Sequence, residues 1–139
     1  HPHRGMETVT FIIEGDIMHQ DSTGSESVIE TGGVQWMTAG SGLIHAEVSS
    51  SQFKKTGGPL EILQLWLNLP AKFKMTKPRY EGLQSSDIPK VKLAEGVEAQ
   101  LIAGTFQHEK AAFETLTDVH LSTIFMQAGA TLSLKVASQ

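Results

Sequence analysis

The 139-residue chain contains no cysteine. That excludes disulfide staples and thiolate metal sites, and leaves imidazole and carboxylate as the side chains able to hold a transition metal. The chain also lacks any apolar run long enough to cross a bilayer as a helix. Its opening shows no charged stretch followed by an apolar stretch and a small-residue cleavage site. A soluble, cytoplasmic protein without membrane contact is expected. No basic block is present either: 11 Lys and Arg stand against 15 Asp and Glu, and nothing is arranged to neutralise a row of phosphates. Direct nucleic-acid binding is not expected. A hydrophobic content of 40% is enough for one compact domain with a real core, which excludes a disordered or fibrous chain.

Short runs rich in Val, Ile, Leu and Thr recur between glycines, the pattern of many short strands in a sandwich or barrel. In "ETVTFIIEGD", Glu7, Val9, Phe11 and Ile13 alternate with Thr8, Thr10, Ile12 and Glu14. Further strands are expected at "IMHQDS", "SVIETGG", "VQWMTAG", "GLIHAEVS" and "EILQLWLNLP". In the last of these, Leu63, Leu65, Leu67 and Leu69 take one face and Gln64 and Asn68 the other. This density of strands favours a small antiparallel barrel or jelly roll. After Pro70, "AKFKMTKPRYEGLQSSDIPK" reads as an irregular connector broken by Pro78 and Pro89. Strands resume at "VKLAEG" and "EAQLIAGTF", and the chain stops inside the strand-like "ATLSLKVASQ", so a piece of something longer is expected.

His1 and His3 are two residues apart, so on extended backbone both imidazoles point to one face. His45 and Glu47 repeat that spacing. Two strands offering such pairs to one barrel interior could hold a cation with three neutral nitrogens and one carboxylate, leaving coordination positions open. Single histidines on strands are usually surface residues or satisfied core residues, and His19, His108 and His120 are read that way. Gly15, Gly40 and Gly42 are expected to serve turns, and Phe11, Trp36, Met37 and Trp66 to line a core or cavity.

"HPHRGMETVTFIIEG" resembles the first cupin motif and "GGVQWMTAGSGLIHAE" the second. The wording of "HPHRG", "ETVT", "QWMTAGSGLIHAE" and "LQLWLNLPAKFKMTKPRYE" resembles the pirin family in particular, up to about Gly104. The resemblance implies an all-β bicupin cut short after the start of its second barrel. Residues 1–104 would form the N-terminal metal-binding cupin, and residues 105–139 a linker and the first strands of the C-terminal one. It implies metal ligation by His1, His3, His45 and Glu47. Glu7, which generic cupins would use, becomes a reserve ligand or an inward polar residue bonded to Arg4 or to backbone.

The resemblance further implies iron(II), with nickel, zinc, copper or manganese able to take its place in a sample. The activity implied is that of an iron-dependent quercetin 2,3-dioxygenase, with Glu47 accepting a proton from a small phenolic substrate packed against Trp36, Met37 or Leu43. The alternative is an iron-dependent redox co-regulator that binds a transcriptional or metabolic protein partner without catalysis.

Overall fold

The computed structural model describes residues 1–106 and 109–134. The chain divides into two compact units, His1–Asp87 and Ile88–Gln139. In the first unit the strands are β1 (Pro2–His3), β2 (Met6–Glu14), β3 (Asp16–Asp21), β4 (Glu26–Glu30), β5 (Val34–Thr38), β6 (Leu43–Val48), β7 (Glu61–Asn68) and β8 (Arg79–Leu83). They form two antiparallel four-stranded sheets, in the orders β1-β6-β3-β4 and β7-β2-β5-β8.

Strand β8 lies in the stretch that the sequence suggests is an irregular connector. Its alternation is masked by Pro78 and Gly82, yet it pairs with β5 in regular register from Arg79↔Thr38 to Leu83↔Val34. The short helix α1 (Ser51–Thr56) follows β6; the Ser50 hydroxyl caps it by accepting from the Phe53 amide at 3.0 Å.

The faces that the two sheets turn toward each other are layered along the strands. At one end Ile12, Ile17 and Ile29 form an apolar cluster with Ile62 against it. At the other, Met37, Ala39 and Leu43 cluster with Met6 and Tyr80. Between them, the same strand faces carry Thr10 on β2, His19 on β3, Gln35 on β5, and His45 and Glu47 on β6. A polar layer is thus held between two dry ones, which fixes the positions of its side chains independently of any ligand.

Gly40, in the turn before β6, sits at φ 51°, and a Cβ there would lie 2.1 Å from the Thr76 carbonyl oxygen. Only glycine fits that close approach, which aligns β6 for the site.

In the second unit, β9 (Lys90–Ala94), β10 (Val97–Ala103) and β13 (Leu121–Met126) form a sheet in the order β13-β10-β9, and β11 (Thr105–Phe106) pairs with β12 (Glu109–Lys110). Ala99, Leu101 and Ala111 make its core, with Val91, Leu93, Phe106 and Ile124 packed around them. The two units part between Asp87 and Ile88, upstream of residue 104, because β10 and β13, on either side of that residue, share one sheet. No helix among the described residues is long and apolar enough to cross a membrane.

Candidate metal centre

Strand β6 alternates as its sequence requires: Leu43 and His45 are buried and Glu47 half-buried, while Ile44, Ala46 and Val48 face out. Register with its neighbours decides what these side chains meet. The His45 amide donates to the His1 carbonyl at 3.0 Å, and on the other side His45 pairs with Asp21 and Glu47 with His19. Two rows of potential ligands therefore cross the sheet, His1–His45–Asp21 and His19–Glu47.

Three imidazoles converge. Nε2 of His1 lies 2.9 Å from Nε2 of His3 and 3.0 Å from Nε2 of His45. The three ring centroids are 4.5 to 4.9 Å apart, edge to face. An imidazole nitrogen carries either one proton or one lone pair, so Nε2 of His1 can satisfy one of these contacts as a hydrogen bond but not both. A single cation accepting three lone pairs satisfies all of them. Nitrogens about 2.1 Å from one ion and at right angles lie about 3.0 Å apart, in line with the observed separations.

The protonation of the rings supports the same use. Burial lowers the pKa of His3 below its ordinary value, partly opposed by Glu47. Burial, reinforced by His3 and His19, lowers His45 to about 4. Both rings are neutral at pH 7, with lone pairs available. The sign of the pH effect follows: the unfolded chain takes up protons near pH 6.5 that the folded one refuses until about pH 4, so folded-state stability falls as pH drops through that window. Thermal melts of the metal-free protein are expected to show this loss between pH 6.5 and 4, with a shallower slope in His45→Gln; an unchanged slope in that variant would assign the effect elsewhere.

Glu47 is oriented by three donors. Its Oε1 accepts from the Gln35 amide and from the Thr10 hydroxyl at 3.3 Å, and its Oε2 accepts from Gln64 Nε2 at 2.8 Å. Thr10, Gln35 and Gln64 occupy one row across β5, β2 and β7. The Gln35 amide is itself fixed, because its Oε1 accepts from the Tyr80 hydroxyl at 2.9 Å. Burial raises the pKa of that phenol to about 12, despite its hydrogen bond with Ser27, so Tyr80 stays protonated.

The four residues implied by the cupin motifs do not form one compact set. His1, His3 and His45 make one group of ligand atoms, and His19, His45 and Glu47 another, each with all its atoms within 4.8 Å of one another. His45 belongs to both. Glu7 belongs to neither. The chain turns at Gly5, φ 70°, so extended geometry cannot be carried from His3 to Glu7. Along β2, Glu7 then falls on the face opposite Thr10, where it accepts from the Thr38 hydroxyl at 2.6 Å rather than bonding to Arg4.

The same parity corrects the expected substrate wall. Trp36 pairs with Val9 on the face away from Gln35, whereas Trp66 pairs with Thr8 on the site face. Trp66 is 62% exposed, sits 5.5 Å edge-on from His3, and donates its indole N–H to Gln64 Oε1 at 2.8 Å. Leu43 and Met37 are buried in the apolar layer beneath.

His19 is a buried, hydrogen-bonded core histidine, one of the two places expected for a single strand histidine, and it lies in this layer, stacked on Tyr80 at 3.9 Å between centroids. Its Nε2 lies 2.8 Å from Asp21 Oδ2. Hydrogen bonds from Thr23, His19 and Ser25 hold the Asp21 carboxyl below its ordinary pKa, outweighing the opposing effect of burial. The signal available was spacing: His19-x-Asp21 repeats the two-residue step of His1-x-His3 and His45-x-Glu47. His120 is exposed in the second unit, and His108 lies outside the described residues.

The family model described as Pirin matches residues 1–67. Pirin-like protein 2 of Arabidopsis thaliana is 43% identical over 98% of the chain, which spans 40% of that relative. The chain belongs to the pirin family. A solved Acinetobacter baumannii structure, described as quercetin 2,3-dioxygenase, is 45% identical with a TM-score of 0.80, covering 85% of this pirin chain and 41% of its own. The Escherichia coli pirin YhhW, solved in complex with nickel(II), is 28% identical with a TM-score of 0.53, over 73% of this chain and 46% of that one. The chain thus spans less than half the length of these relatives. The two-sheet unit is the cupin fold of these pirins.

Proposed function

We propose that this pirin chain holds iron(II) on His1, His3 and His45, with Glu47 turning from its hydrogen bonds to Gln35, Thr10 and Gln64 to complete the set, and forms the metal centre of a quercetin 2,3-dioxygenase-type oxygenase acting on a phenolic substrate. The observation carrying the metal assignment is the convergence of three Nε2 atoms that no hydrogen-bonding scheme satisfies together. A relative described as quercetin 2,3-dioxygenase supports the choice of reaction.

When bound, the ion supplies a Lewis-acidic, redox-capable centre for a phenolic oxygen and O₂. The chain's own groups do the rest. Glu47, gripped by Thr10, Gln35 and Gln64, holds its carboxylate where it can take the substrate's hydroxyl proton. The Trp66 indole, locked by Gln64, offers a flat face beside His3 for a planar ring to stack on.

The test is oxygen uptake with quercetin by the iron-loaded protein. Turnover above that of free iron is expected. Trp66→Leu should raise KM about five- to tenfold with little change in kcat, since one aromatic stack contributes roughly 1 kcal/mol. No turnover above free iron would sink the proposed reaction.

A further inference from the structure

We propose that His19, His45 and Glu47 form a second, inner seat for a divalent transition-metal cation, to which the ion passes by exchanging His1 and His3 for His19. This rests on the ligand assignment above for the outer seat, and His45 and Glu47 are common to both. The ligand atoms of the inner three lie within 4.8 Å of one another. His19 and Glu47 are paired neighbours on β3 and β6, and His45 follows on the same face.

The second observation is the state of the His19 ring. Asp21 Oδ1 is occupied by the Thr23 amide at 2.8 Å, the Thr23 hydroxyl at 2.6 Å and the Ser25 amide at 3.3 Å, so this carboxylate serves purely as acceptor. His19 Nε2 lies 2.8 Å from Asp21 Oδ2, and in the neutral tautomer that donates there Nδ1 is the nitrogen that carries the lone pair. That Nδ1 is buried in a residue with 0% exposure and has no hydrogen-bond partner among the described residues. A carboxylate holding one ring nitrogen while the other presents its lone pair is the arrangement that orients metal-ligating histidines. Nδ1 of His45 is likewise buried and unpartnered. Stacking on Tyr80 fixes the plane of the His19 ring. Two imidazoles and a carboxylate suit iron, cobalt, nickel, copper or zinc rather than calcium or magnesium.

Cobalt(II) alone is the probe, titrated into the native protein, into the His1→Ala/His3→Ala double variant and into the triple variant that adds His19→Gln. The double variant is expected to bind one cobalt with an affinity at least about 100-fold weaker than the native protein. The triple variant is expected to lose that residual binding. Equal affinity of the double and triple variants overturns the inner seat. A double variant as tight as the native protein contradicts the outer ligand set instead. Should the triple variant fail to fold by circular dichroism, pulsed EPR of copper(II) in the double variant decides: nitrogen couplings from two imidazoles are expected, and coupling from only one overturns the proposal.

Discussion

His45→Ala is expected to abolish divalent-metal binding, weakening it by at least about 100-fold, while leaving the metal-free sandwich folded. Even the partners that merely orient metal ligands are worth about 10–100-fold in affinity, and His45 is a proposed ligand in its own right. It is also the one histidine common to both groups of converging donors, so no rearrangement of the remaining histidines replaces it. The fold has other support. The apolar clusters around Ile12 and Met37 lie on either side of the polar layer and do not include His45. Isothermal titration paired with thermal melts of the metal-free variant checks both halves. A metal-free melting temperature that collapses with the substitution would make His45 a structural residue.

Glu47→Gln is expected to lower turnover by about 10²–10⁴-fold at saturating metal, the range associated with loss of a positioned acid–base group. The substitution also opposes the surroundings of residue 47. A carboxylate accepts at both oxygens, from Gln35 and Thr10 on one and from Gln64 on the other. An amide turns one of those acceptors into a donor facing a glutamine donor, so one contact becomes repulsive in either orientation. Metal affinity should fall as well, which is why rates must be compared with the ion saturated. A kcat within twofold of the native value under those conditions would remove the proton-accepting role from Glu47.

The parts of this site that were legible in the sequence are those set by strand period. His1-x-His3 and His45-x-Glu47 share faces because side chains alternate, and the glycine-bounded apolar runs mark β2 to β7. What was hidden depends on register and on breaks between strands. The turn at Gly5 separates β1 from β2 and puts Glu7 on the wrong face, which extrapolation along one strand cannot foresee.

His19 gains its place only because β3 pairs with β6, bringing it beside Glu47; nothing local distinguishes it except its step to Asp21. Tyr80 was obscured by the prolines and glycine around β8, and Trp66 reads as core because leucines surround it in the sequence, although it stands exposed on the site face of β7. Leu63 and Leu65, on the opposite face of that strand, are also exposed among the described residues.

The measurement that bears most directly on the metal assignment is anomalous diffraction at the iron edge from crystals of the iron-loaded protein. One anomalous peak is predicted, about 2.0–2.2 Å from Nε2 of His1, His3 and His45 and from a carboxylate oxygen of Glu47. A peak coordinated by Glu7, or one in contact with none of the three imidazoles, would contradict it.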